Sequence, residues 1–315
     1  MRKTASRSLQ QSNGLNSSWL QIKKMRIFYL MLIIPVAWTL IFSYKPMYGV
    51  IIAFKDFKMG DGIIGSPWNN FRHFEMFFTN YNFIRVLRNT IYFSFLNIIF
   101  GFPAPIILAL LLNEIRKQRF KKIVQSISYL PHFLSWVILA TFLIEILSPS
   151  SGLINYILSL FRIKPIYFLA SRQWFRPVIV LSGIWQSIGW GSIVYLAAIS
   201  SVNMELYDSA NIDGANRLQK AFYITLPAMM PVITFFAIMN MANVLRANFD
   251  QIFNLLNDRV MEVGDVIDTY IYRVGLVGAS YDYAAAVGLF VNVVGLILLT
   301  ITNTVVRRYS DYTLW

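Results

Sequence analysis

The chain has no cysteine and only two histidines, His73 and His132, among its 315 residues. A disulfide framework, a thiolate nucleophile and a cysteine metal site are therefore excluded. Two histidines so far apart in sequence do not supply a metal or acid–base centre either. Charge is scarce as well. Charged residues make up 14% of the chain, against roughly 25% in soluble domains. A soluble protein of this length would lack the polar surface to stay dispersed. There is no G-x-x-x-x-G-K-[ST] phosphate loop. Gly60-Asp61-Gly62-Ile63-Ile64-Gly65 fits G-x-G-x-x-G, but a dinucleotide fingerprint needs a strand before it and a helix opening in it. Here Ser66-Pro67-Trp68 follows, which argues against nucleotide binding.

What the chain does have is apolar length. Hydrophobic residues reach 57% and mean hydropathy is +0.54, so the chain reads as an all-α integral membrane protein. The net charge of +13 comes largely from basic residues flanking apolar segments, where they orient helices and meet anionic headgroups; nucleic acid is not the expected partner, whereas membrane lipid is. A span needs about 20 mostly apolar residues. Six segments qualify, about 27–44, 89–112, 126–147, 178–202, 228–245 and 284–306. The first 26 residues are polar with no small-residue cleavage site behind a short apolar core, which predicts a retained tail and an uncleaved first helix. The domain order is then a tail (1–26), a first helix with its exterior loop (27–88), a five-helix core (89–306) holding a connector at 203–227, and a C-terminal tail (307–315).

Charge sets the expected topology. Arg2, Lys3, Arg7, Lys23, Lys24 and Arg26 lie before span one; Arg116, Lys117, Arg119, Lys121 and Lys122 follow span two; Arg307 and Arg308 follow span six. Six spans with both termini cytoplasmic put all three groups inside, as the positive-inside rule asks. Pro35, Pro103 and Pro105 fall within spans and should kink them, either as irregular packing or as part of a gate.

The polar connector Asn203 to Leu226 then lies in the cytoplasm. Asn203 can cap a helix opening at Met204, with Glu205 and Asp208 near its first turn, where the macrodipole favours acid. Leu206 and Ala210 are four apart and share a face. Gly214 after Asp213 can take the left-handed conformation that ends a helix. Asn216 can cap a second helix, and Pro227 opens span five. Small residues at the bend (Ser209, Ala210, Gly214, Ala215) admit close approach of another surface. An interfacial helix–turn on the headgroups fits the same pattern.

Asp208-Ser209-Ala210, Gly214 and Leu226-Pro227 resemble the cytoplasmic loop of permease subunits in binding-protein-dependent ABC importers, which reads Glu-Ala-Ala, three residues, Gly, and about a dozen residues later Leu-Pro. Asp replaces Glu, Ser replaces Ala, and Asn203-Met204 stands where a proline often precedes the motif. The resemblance covers nearly the whole chain and is nearest the sugar branch, alginate-type permeases included. Its stretches are Pro46-Met47-Tyr48-Gly49, Gly65-Ser66-Pro67-Trp68, Gly101-Phe102-Pro103-Ala104-Pro105, Tyr129-Leu130-Pro131-His132-Phe133, Trp185-Gln186-Ser187-Ile188-Gly189-Trp190 and Gly264-Asp265-Val266-Ile267-Asp268-Thr269-Tyr270. It implies a MetI-like fold of six transmembrane helices in a bacterial cytoplasmic (inner) membrane. It also implies a second permease subunit as heterodimer partner, two ATP-binding subunits that hold ATP and Mg, and an extracytoplasmic sugar-binding protein. No cofactor and no catalytic residue would belong to this chain. Glu205, Leu206, Tyr207, Asp208, Ser209, Ala210, Asp213, Gly214 and Ala215 would form the coupling helix that docks on the ATPase, and import of oligosaccharides would follow by alternating access.

Polar residues within spans tend to face protein or water, because charge at mid-membrane is costly. Asn240, Asn243 and Arg246 at spacings of three, with Asp250 four further on, suggest one stripe lining a sugar path. Interhelical hydrogen bonds with a surface Arg–Asp pair would explain them equally. In span four, Trp185, Gln186, Trp190 and Tyr195 offer flat rings and an amide to a sugar, though aromatics also populate membrane cores and belts. Asn97 and Asn292 are further candidates. Glu262, Asp265 and Asp268 repeat every three residues, which suggests one solvated or binding-protein-facing helix face rather than a calcium site. Trp68, Phe71, His73 and Phe74 offer a dock for the binding protein. A secondary transporter driven by an ion gradient is the main alternative, but it would ask for an internal repeat and mid-span carboxylates. A membrane enzyme would ask for an interfacial constellation that two scattered histidines do not supply.

Overall fold

The computed structural model describes residues 24–309. Arg2, Lys3, Arg7 and Lys23 and the C-terminal tail from residue 310 lie outside them. The chain separates into two units, residues 1–68 and 69–315. Among the described residues the structure is helical, with a single isolated bridge between Lys55 and Trp68.

In the first unit, helix α1 (Arg26–Phe54) is 29 residues long. Thr39 Oγ1 donates to the Pro35 carbonyl at 2.8 Å, and a widened π turn at Leu40–Tyr44 precedes Pro46. The segment after α1 is closed by Lys55, whose ammonium donates to the carbonyls of Ile63 (2.6 Å) and Ile64 (2.9 Å) and lies 5.1 Å from the Trp68 ring. This lysine caps the one-turn helix Gly62–Gly65. No strand enters that glycine run, as a phosphate-binding turn would require.

The second unit begins with α2 (Arg72–Thr79) and α3 (Tyr81–Asn113). Next come α4 (Gln118–Phe133) and α5 (Trp136–Ile146), α6 (Leu153–Leu160) and α7 (Phe175–Ser200). The remainder are α8 (Met204–Ile212), α9 (Arg217–Ala242), α10 (Phe249–Leu255), α11 (Ile267–Ile271) and α12 (Tyr281–Tyr309). Five helices, α1, α3, α7, α9 and α12, are each long and apolar enough to cross a membrane.

The expected third span over 126–147 is not one continuous helix: α4 and α5 pass the length and hydropathy test as a pair, a sixth candidate among the described residues, but meet at a 105° bend. The reason is local: Pro131 forces Leu130–Phe133 into a 3₁₀ turn, and Ser135 then starts a new helix by capping Ile138. Pro227 does not open span five either, because α9 begins ten residues earlier at Arg217. A π turn at Ala221–Thr225 precedes Pro227, as one at Asn97–Gly101 precedes Pro103. The extra residue in each turn makes room for a ring that would otherwise strike the carbonyl four residues back.

Apolar packing forms three clusters. The first joins Phe77, Phe83, Ile267, Tyr270 and Val287. The second joins Phe93, Phe175, Ile252 and Val266. The third joins Ile106, Ala109, Tyr195, Ile199 and Met229. In lipid, helices gain little from burying apolar area against one another, so close approach of small residues matters more. Gly189 on α7 meets the backbone of Ser128 on α4, leaving no room for a Cβ. Gly189→Leu is therefore expected to prise α4 from α7 at a cost of about 1–3 kcal/mol or more. A lowered midpoint of thermal aggregation in detergent would register it, and an unchanged midpoint would show that this contact carries no weight.

Candidate functional site

The connector between α7 and α9 is built as a rigid unit. The Asn203 side chain accepts from the Glu205 amide at 3.0 Å, which starts α8. At its far end the Ala215 amide donates to the Ala210 carbonyl (2.9 Å) and the Gly214 amide to the Asn211 carbonyl (3.2 Å). That pair of bonds is the Schellman closure, and it needs a residue in the left-handed region. Gly214 supplies it with φ +76°. Asn216 and Gln219 then form a reciprocal capping box, with bonds of 2.9 and 2.7 Å, which starts α9.

Three further contacts hold the bend. The Tyr207 hydroxyl lies 2.8 Å from Thr225 Oγ1. Lys220 donates to Asn211 Oδ1 at 2.7 Å, and Arg217 pairs with Glu114 at 3.7 Å. Tyr207 thus braces the bend, while Glu205, Leu206, Asp208, Ser209, Asp213 and Gly214 are exposed and Ala210 and Ala215 half-exposed. Sequence reasoning singled out Leu206 but not the rest of the apolar part of this surface. Met204, Ile212 and Leu218 are 68%, 87% and 70% exposed, large apolar side chains left open to a protein or membrane contact.

A second feature is a cavity of about 270 Å³ between α3, α7 and the end of α9. Asn97, Gln186, Asn240, Asn243 and Arg246 line it, so the structure brings these five together from three segments. Asn240 and Asn243 each donate back to their own helix, at 3.0 and 2.9 Å. Gln251, buried, donates to the Ile179 carbonyl (2.7 Å) and Ser182 Oγ (2.9 Å) and closes the wall beside Ser94 and Asn248. Ser94 in turn bonds the Val244 carbonyl.

The expected single stripe does not continue to Asp250. Helix α9 ends at Ala242, with Asn243 already outside helical geometry. Asp250 sits exposed in the separate helix α10, away from the cavity lining. Arg246 makes no pair with it and donates instead to Asn292 Oδ1 at 2.6 Å. Among the aromatic candidates, Tyr195 is buried in the third apolar cluster. Trp190 stacks on His132 at 4.7 Å and Trp185 on Phe142 at 6.2 Å; none of the three lines the cavity.

The acidic triplet is also corrected. Glu262, Asp265 and Asp268 do not share a solvated helix face, because the chain turns extended at Asp265 and Val266. Asp265 is fully buried. It takes a bidentate pair from Arg273, at 2.5 and 3.1 Å, a bond from Thr269 at 2.9 Å, and Arg85 at 3.6 Å. Asn89 donates to the carbonyls of Glu262 and Asp265 and accepts from Arg176 at 2.9 Å. These bonds clamp the 262–273 segment onto α3 and α7. Asp268 accepts the Ala247 amide at 3.0 Å. Burial pushes its carboxyl above the usual carboxylate range, against the opposing pull of that amide and of Arg246.

The family model described as binding-protein-dependent transport system inner membrane component matches residues 101–311. The chain belongs to this family. The matched region takes in both the 203–226 connector and most of the cavity wall. The chain is 40% identical over 292 residues to the polygalacturonan/rhamnogalacturonan transport system permease protein YteP of Bacillus subtilis (strain 168), covering 93% of this chain and 91% of that one. It is also similar to a solved bacterial ABC transporter involved in import of the acidic polysaccharide alginate, with TM-score 0.87, 43% identity and 94% and 100% coverage. A second structure shows a bacterial alginate ABC transporter with an alginate pentasaccharide-bound periplasmic protein (TM-score 0.87, 42% identity, 94% and 99% coverage). The architecture of the chain is therefore an all-helical, MetI-like permease fold.

Proposed function

We propose that this chain is a permease subunit of an ATP-driven importer for oligosaccharides or polysaccharide fragments, delivered by an extracytoplasmic binding protein. The observation that carries the reading is the 203–226 connector. It is capped at both ends, braced by Tyr207 and Thr225, and presents exposed Leu206, Ile212 and Gly214, so it can transmit a push as one body. Docked in a groove of an ATP-binding subunit on the cytoplasmic side, α8 would move with that subunit as ATP closes the ATPase pair. Because α8 is tied to α7 and α9, which both flank the cavity, that movement would switch the cavity between the two sides of the membrane. ATP and Mg would be held by the partner, and a second permease chain would complete the path. The transport specificities of the relatives support a sugar cargo.

The cavity amides suit sugar hydroxyls, since Asn240 and Asn243 each keep an acceptor oxygen after donating to their own helix. The double variant Asn240→Ala, Asn243→Ala is expected to cut ATP-driven oligosaccharide uptake in proteoliposomes about tenfold, the equivalent of about 1.4 kcal/mol, while copurifying with its ATP-binding subunits. Uptake at the unmodified rate would remove the cavity from the path.

A further inference from the structure

Beyond naming a sugar path, the cavity has a charge sign. Of the residues lining it, Arg246 alone carries an ionisable side chain; the rest of its polar lining consists of amides and hydroxyls. Among the described residues Arg246 makes one hydrogen bond, to the neutral oxygen of Asn292, and no ion pair. Arg273 and Arg85 are different, because both are ion-paired with the buried carboxylate of Asp265. The acid nearest in influence to Arg246 is Asp268, which is engaged by the Ala247 amide. A guanidinium with one arm fixed by an amide keeps further N–H donors for a planar, bidentate acceptor. A carboxylate is such an acceptor, and its bond to a cation is about twice as strong as a neutral one. In a cavity flanked by apolar helices the attraction is screened less than in water.

We infer that the cargo recognised in this cavity is an acidic oligosaccharide, with Arg246 receiving a uronate carboxylate while Asn97, Asn240 and Asn243 meet ring hydroxyls. The inference rests on the importer reading above and adds the substrate class to it. A neutral sugar would cover the guanidinium without offering it a carboxylate, so the same feature discriminates against neutral cargo.

The assembled transporter, with its ATP-binding subunits, partner permease and binding protein in proteoliposomes, provides the test. Three probes are compared: oligogalacturonides of two to six units, their methyl esters, which keep the skeleton and lose the charge, and maltooligosaccharides. The free acids are expected to be taken up in preference to both neutral sets. Arg246→Gln should cut uptake of the free acids at least tenfold and abolish their preference over the esters, while Arg246→Lys retains an intermediate rate and part of the preference. Copurification of each variant with the ATP-binding subunits reports assembly. Equal uptake of the free acids by the unmodified protein and the Gln variant would overturn the inference. Preferred uptake of either neutral set would overturn it too, while leaving the importer reading in place. ATP-dependent uptake of none of the three would overturn both.

Discussion

Gly214→Val is expected to reduce ATP-driven uptake more than tenfold and to leave the membrane-spanning helices folded. The residue holds φ +76°, where a left-handed conformation costs an L-residue roughly 1–2 kcal/mol and a β-branched one is a genuine outlier. Valine would relieve the strain by unwinding the turn, and the bonds from Gly214 and Ala215 to Asn211 and Ala210 would be lost with it. Helix α8 would then no longer move as one piece with α9. A Cβ at this position meets nothing within 4 Å inside the chain, so the effect would come from backbone strain and from the partner surface, not from internal crowding. Gly214→Asn separates the two, since asparagine tolerates the left-handed region. It should restore the turn and retain uptake if geometry is what matters, and fail as valine does if the partner sits against the Cα itself. ATPase stimulation by the loaded binding protein, measured beside uptake, distinguishes an uncoupled complex from a released ATPase. Normal uptake in the valine variant would remove the connector from the mechanism.

Asp265→Ala is expected to be the most damaging substitution for stability. The carboxylate is wholly buried and is bound by Arg273, Arg85 and Thr269. Removing it leaves two guanidinium groups without their counter-charge, and breaking a buried pair in this way costs about 3–5 kcal/mol. The 262–273 segment would lose its ion pair to Arg85 on α3 and its internal brace to Arg273 and Thr269, which loosens the cluster containing Ile267 and Tyr270. Low yield of monodisperse protein and a sharply lowered thermal midpoint in detergent are the expected results. Adding Arg273→Ala to Asp265→Ala should cost less than the sum of the single changes, because the two groups share one interaction. Full additivity, or a midpoint like that of the unmodified protein, would show that the cluster is incidental.

How much of this was legible in the sequence differs by element. The connector was legible because helix-end chemistry is local: Asn203, Gly214 and Asn216 each act on backbone within a few residues, and all three do what their types suggest. The spans were legible from apolar length, but the break inside 126–147 was not, because Pro131 and Ser135 act on backbone geometry and leave hydropathy unchanged. The cavity was partly legible. Asn97, Gln186, Asn240, Asn243 and Arg246 stood out as polar residues in apolar runs, but helical spacing carried the stripe to Asp250 past a helix end that no local signal marks. Gln251 and Ser94 were missed, because their roles depend on long-range partners at Ile179 and Val244. Asp265 was misread for the same reason. A period of three looks like a helix face until the arginines that bury the middle carboxylate arrive from elsewhere in the chain.

The central claim is that ATP hydrolysis by a docked partner drives transport through this chain. The most direct measurement is oligosaccharide uptake by the complete complex in proteoliposomes, with internal ATP held constant while a proton ionophore dissipates the gradient. Uptake that persists with the ionophore, and stops when ATP or the binding protein is withheld, is the result predicted. Uptake that collapses with the gradient at constant ATP would contradict the account and favour an ion-driven transporter.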